Sequence, residues 1–394
     1  MHYRTLKILT SLFMAIVIVV ILVAARSTLW PSSGETEPTA EPTSPVLTSE
    51  RPTPTESAVP TTVADPDPLP VVFSPATVEP GQSLRSWPQD LSIPLLREPD
   101  MSVYAGRKRD EQPLDGITVI IDPGHGGQDG GAQYPINVLY PDFVEKDIVL
   151  AISLSLRDQL ESLGAEVVML RETDVWMSIY SRVALAGRWA IQDYTELLPL
   201  NGYESSPIDH LLPQLDQMLE INSDYASSGG RGPMLGIGVN EDMKILMDIQ
   251  SQYPDVLYLS IHCNALDDER VGGLQVYHLT SDSAYTAENT MVNGADPSVN
   301  MPAYTRYPDE ERLQLGELVR DNIIDRLPDL KFPGDNDLLP GNYAVLREMA
   351  FNGLLIETGF ITNADDRAIL TSASGQLEIS QGIADAIYEF YCLP

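Results

Sequence analysis

Apolar and polar positions change period several times along this chain. Residues 117–122 (ITVIID) form a β-branched apolar run and predict a buried strand. In EKDIVLAISLSLRDQLESLG (145–164) the apolar residues fall at 148, 149, 152, 156, 160 and 163, which is helical spacing, with Gly164 placed to end the helix. AEVVMLR (165–171) predicts a second strand. A strand, helix and strand of these lengths make a βαβ unit and require a parallel sheet. SIYSRVALAGRWAIQ (178–192) predicts the next helix.

The rhythm breaks over residues 193–240, which contain Pro199, Pro207, Pro213 and SSGGRGP, with one helix-like piece near 211–221. This reads as an insertion or lid. Alternation then resumes. Helices are expected at 241–253, 310–327 and 374–391, and strands at 256–261, 272–280, 343–347 and 353–357. The pattern predicts an α/β domain over residues 96–394, built as three layers around a mostly parallel sheet with helices on both faces.

The N-terminal part differs in kind. Ile8 to Ala25 is 18 residues without a charge, preceded by Arg4 and Lys7, and matches a short transmembrane helix. A cleaved secretory signal is the competing reading, and either one exports the rest of the chain. Residues 1–26 are therefore read as a signal-anchor. Residues 27–95 are rich in Pro, Ser, Thr and Glu, bury too little apolar surface to fold, and are read as a disordered, extended linker. LSIPLL at its end has the apolar content to pack on the domain.

Charge narrows the partners. The net charge is -33, and the first 26 residues contribute only basic groups to it. A domain this acidic is a poor nucleic-acid binder, because phosphate contacts need Lys and Arg. Cations are the more natural ligands. The two cysteines, Cys263 and Cys392, exclude a dense disulfide framework.

In open parallel sheets ligands gather beyond the carboxyl ends of the strands. His125 follows the first strand in DPGHGG, His262 ends strand 256–261, Glu357 ends strand 353–357, and Glu145 opens the helix facing the same rim. Two imidazoles and a carboxylate suit zinc, and a remaining carboxylate is the usual proton carrier. Each residue also has a plain structural explanation. His125 suits a glycine-flanked loop, Glu145 suits a helix N-terminus, and His262 suits a hydrogen-bonded core position. Glu357 is harder to dismiss, because an acid at the end of a buried strand needs a partner. GHGGQDGG lacks the lysine and the spacing of a phosphate loop. Cys263 neighbours His262 in a strand, so the two point to opposite faces and the thiol belongs to packing.

IIDPGHGGQDGGA, EKDIVLAISLSLRDQL, LSIHCNA and LLIETGFITNADD, in this order, resemble the zinc-dependent N-acetylmuramoyl-L-alanine amidases of the type 3 family. The resemblance covers most of residues 116–392. It implies hydrolysis of the amide between N-acetylmuramic acid and L-alanine of the peptidoglycan stem peptide. It implies Zn2+ held by His125, Glu145 and His262, with Glu357 catalytic. It further implies an extracytoplasmic, cell-wall location, here anchored by the N-terminal helix, and it allows for a protein activator. Arg347 is a candidate for pairing with a stem-peptide carboxylate, against the plainer role of a structural ion pair. The chain departs from the family at Cys263, where alanine is usual, in the extra YPINVLYPD stretch, and in the long insertion. A thiol hydrolase using Cys263 and an inactive wall-binding homologue are the rival readings.

Overall fold

The computed structural model describes residues 93–223, 241–284, 307–334 and 336–393. The anchor, nearly all of the linker and residues 224–240 of the insertion lie outside the described residues. Among the described residues no helix is long and apolar enough to cross a membrane.

Strand β1 (Thr118–Pro123) is buried at all six positions, as its β-branched apolar run demands, with Asp122 buried among them. The two-residue strands β2 (Gln133–Tyr134) and β3 (Phe143–Val144) pair antiparallel and lead into helix α1 (Glu145–Ser162). Helix α1 buries Ile148, Val149, Ile152, Leu156 and Leu160, the predicted stripe. Gly164 follows with φ +93°, a left-handed turn that a side chain would strain. Strand β4 (Glu166–Met169) comes next, then helix α2 (Ile179–Leu200), capped by the Ser178 hydroxyl accepting from the Ser181 amide at 3.0 Å.

Helix α3 (Leu211–Ile221) and helix α4 (Glu241–Gln250) precede β5 (Val256–Asn264) and β6 (Gln275–His278). The chain continues through α5 (Asp309–Arg326), β7 (Leu338–Pro340), a single turn α6 (Ala344–Arg347) and β8 (Asn352–Phe360). It closes with α7 (Ala364–Leu370) and α8 (Ala373–Cys392).

The six-stranded sheet has the order β4-β1-β5-β8-β6-β7. Strands β4, β1, β5 and β8 run parallel, whereas β6 is antiparallel to β8 and carries β7 parallel to itself. One face places Val119, Ile121, Leu257, Leu259 and Ile261 against α1, α5 and α8. The other places Ile120, Tyr258 and Leu355 against α2, α3 and α4. Alternation along β1, β5 and β8 feeds both layers, so the sheet is covered on each side. The Pro94 carbonyl accepts from Tyr194 Oη at 2.6 Å and from Gln252 Nε2 at 3.0 Å, and Leu96 is buried.

Two expectations need correction. Residues 343–347 are not a strand: Ala344–Arg347 is a helical turn. Both edges of β8 are already taken, by β5 and β6, and β7 fills the outer edge of β6, so no edge of β8 or β6 is left for a strand here. Helix α2 also runs on to Leu200, with Pro199 in its last turn, so the first eight residues assigned to the insertion are helix.

Candidate functional site

Three polar side chains meet beyond the carboxyl ends of β1 and β5. His125 Nε2 lies 3.1 Å from Glu145 Oε2, and His262 Nδ1 lies 2.9 Å from Glu145 Oε1. One ligand atom from each of the three residues can be chosen so that all lie within 4.8 Å of one another. The glycines beside them are needed for this. A Cβ on Gly124 would sit 2.4 Å from His262 Cε1, and one on Gly131 (φ +67°) would sit 2.4 Å from Glu145 Oε2.

The cradle is wired from behind. The Asp129 carboxylate meets His125 Nδ1 at 2.9 Å, leaving Nε2 to face the cluster. Glu145 accepts the amides of Ala132 at 2.7 Å and Cys263 at 2.9 Å. Burial would raise the Glu145 carboxyl, but hydrogen bonds from both imidazoles outweigh it and hold the group well below the usual range. Burial likewise opposes a charged His125, but Asp129 and Glu145 overcome it and raise His125 to about 9.

Glu357 stands opposite. It pairs in register with His262 across the β5–β8 ladder, so both side chains leave the same face of the sheet. Burial pushes its carboxyl up to about 7, and its buried Oε2 has no hydrogen-bond partner among the described residues. Glu357, His125 and His262 line a cavity of about 400 Å³, walled by Trp176, Ile179 and Tyr343. A carboxyl near neutrality, aimed into a cavity beside a cluster of ligand donors, is suited to moving protons at physiological pH.

Other candidates lie elsewhere. Arg347 is buried, donates to Asn342 Oδ1 at 3.0 Å and Glu348 Oε1 at 3.3 Å, and is not among the residues lining the cavity. Its place on a buried helical turn, not at a strand end, turns the guanidinium inward. Cys263 packs in the core on the face away from His262, with its thiol 3.4 Å from Thr358 Oγ1 and pushed well up by burial. Cys263 and Cys392 are both free. His210 bonds to Asp242, and His278 is buried in β6.

Sequence reading missed four supports: Asp122, Asp129, Arg171 and Arg182. Asp122 is fully buried, takes an ion pair from Arg182, and accepts from Tyr258 Oη and Ser260 Oγ, both at 2.8 Å. An aspartate inside an otherwise apolar strand was the available signal, since a buried charge demands a partner.

Residues 119–194 and 238–389 match the sequence profile of the amidase 3 family, N-acetylmuramoyl-L-alanine amidase, which is more than half of the chain. The chain belongs to this family. The stretch left between the two matched segments, 195–237, falls inside the insertion. The germination-specific N-acetylmuramoyl-L-alanine amidase of Bacillus subtilis (strain 168) is 22% identical over 279 residues, spanning 71% of this chain and 81% of that protein. The N-acetylmuramoyl-L-alanine amidase AmiC of Neisseria meningitidis is 25% identical over 286 residues, 69% of this chain and 52% of that one. Among solved structures, the CwlD amidase of Clostridioides difficile in complex with the GerS lipoprotein is 21% identical, covers 70% of this chain and 98% of its own, and has a TM-score of 0.41.

The donor set of this amidase fits a zinc ion. Zinc–ligand bonds near 2.0–2.2 Å in a tetrahedron place donors roughly 3.4 Å apart. One donor atom from each of His125, Glu145 and His262 lies within 4.8 Å of the others, so the three would draw closer together around an ion. Two imidazoles with one carboxylate also match the ligand preference of zinc.

Proposed function

We propose that this chain is a zinc-dependent peptidoglycan amidase that cleaves the bond between the lactyl group of N-acetylmuramic acid and L-alanine of the stem peptide. His125, Glu145 and His262 would hold the ion, and Glu357 is the catalytic residue. The observation carrying this reading is the three-donor cradle faced by the half-buried Glu357, whose buried Oε2 has no partner among the described residues. When bound, zinc acidifies water and polarises the scissile carbonyl. Glu357, near neutrality, accepts a proton from the attacking water and returns it to the leaving amine. Asp129 keeps the His125 ring turned by holding Nδ1. Trp176 and Tyr343 shape the walls against which the substrate lies.

The domain plan belongs to the same proposal. Residues 1–26 anchor the chain in the membrane, 27–95 tether it, and 96–394 act outside the cytoplasm on the wall. The site is tested by digesting purified peptidoglycan with the full-length protein and identifying the products by mass spectrometry. The expected products are free stem peptides with an N-terminal alanine and intact glycan strands, formed only with a divalent ion present. Cleaved glycan, or stem peptides cut internally, would refute the assignment. The anchor is tested by alkaline extraction of membranes, and full release of the chain would count against it.

A further inference from the structure

We propose that Arg171 and Arg182 are positioning residues, two buried guanidinium groups that hold the backbone of the His125 loop so that its imidazole meets Glu145 and His262. The inference rests on the metal-cradle reading above.

The loop after β1 poses a physical problem. His125 has φ +59°, a left-handed conformation that costs a non-glycine residue about 1 kcal/mol or more. The carbonyls at issue run from Pro123, the last residue of β1, into the loop, and a buried carbonyl without a donor is costly. Relaxation is blocked, because Gly124 lies directly against the His262 ring.

Two arginines supply the donors. Arg182 gives Nη1 to the Pro123 carbonyl at 2.7 Å and Nη2 to the His125 carbonyl at 2.6 Å. Arg171 gives Nε to the Pro123 carbonyl at 3.0 Å and Nη2 to the Gly124 carbonyl at 2.7 Å. Three consecutive carbonyls are thus held by guanidinium groups on two residues that are each 3% exposed. Each arginine also reaches a second ligand-bearing segment. Arg171 Nη2 donates to the Lys146 carbonyl at 2.9 Å, one residue past Glu145. Arg182 pairs with Asp122, whose other oxygen accepts from Tyr258 and Ser260 on β5, the strand that ends in His262. The spacing of all three donors is therefore referred to these two rigid forks. A lysine keeps the charge but cannot bridge two carbonyls in one plane.

The test measures zinc affinity of the full-length protein by competition with a chromophoric chelator, alongside thermal unfolding of the apo form. Arg182→Lys and Arg171→Lys are expected to weaken zinc binding by roughly ten- to a hundred-fold while the protein stays folded, the size seen when support behind a metal ligand is lost. A folded variant with wild-type zinc affinity overturns the inference, even if its unfolding temperature falls, because a merely structural arginine would lower stability alone. Should both variants fail to fold, Asp122→Asn loosens Arg182 without removing it. A several-fold loss of affinity is then expected, and unchanged affinity overturns the proposal. Wild type and His125→Ala run in parallel. No zinc on wild type would refute the cradle itself, whereas zinc on wild type with unaffected lysine variants refutes only the role of the arginines.

Discussion

Two cavities open at opposite ends of the central sheet, and the smaller one gathers the candidate site residues. The cavity at the amino ends of β5 and β8 holds about 510 Å³ and is lined by Tyr253, Tyr307, Phe390 and Tyr391, with Gln250 and Asn352 among its polar residues. Among the described residues lining it there is no histidine and one carboxylate, Glu311. The cavity at the carboxyl ends holds about 400 Å³ and gathers His125, His262, Glu357, Asp122 and Asp129. Size does not separate the two. Strand direction does, because parallel strands deliver their terminal side chains and glycine-rich turns to one rim. The walls at that rim shield the Glu357 carboxyl and raise it to about 7, and the loops there are tied by Arg171 and Arg182.

The comparison breaks most sharply at the metal cradle. His125→Ala removes one of three donors and is expected to abolish stoichiometric zinc binding and reduce wall hydrolysis to background, read by metal analysis and dye release from labelled wall. Retained zinc at wild-type affinity would move the site elsewhere.

Glu357→Gln comes next. It is expected to keep zinc and lose roughly 10²–10⁴-fold in kcat. In the wild type, kcat/KM should fall on the acid side as Glu357 takes up its proton, with the limb shifted below 7 by a bound cation. That limb should vanish in the variant.

The same substitution has a stability signature. The folded carboxyl of Glu357 lies above its unfolded value of 4.5. Its contribution to stability is therefore full below 4.5 and is lost as pH rises toward 7. The metal-free glutamine variant should gain on wild type over that window, by about 1–3 kcal/mol at pH 8. Denaturant unfolding at pH 4 and 8 checks this, and an equal gap at both values would contradict it.

The smallest effect belongs to the other cavity. Gln314 is exposed on its wall, and Gln314→Trp should occupy part of the space yet leave kcat/KM within about twofold, as expected for a surface change away from the chemistry. A large loss would couple the amino end of the sheet to catalysis.

Much of this was legible in the sequence, for identifiable reasons. The β-branched apolar run within 117–122 and the helical stripe from Ile148 to Leu160 need no tertiary context, and both appear in β1 and α1. The meeting of His125, Glu145 and His262 followed from their places at strand and helix ends. What stayed hidden depends on backbone atoms or on neighbours. Arg171 and Arg182 act through carbonyls, and nothing in their own positions names Pro123, Gly124 or His125 as acceptors. Residues 343–347 read as a strand because a run of four apolar residues does not distinguish a strand from a helical turn. The two-residue strands β2 and β3 are too short to leave a period.

Zinc K-edge absorption on the full-length protein tests the central claim most directly. The account predicts a first shell of nitrogen and oxygen near 2.0–2.2 Å with the scattering signature of two imidazoles. A sulfur shell near 2.3 Å, or a shell without imidazole, would contradict it.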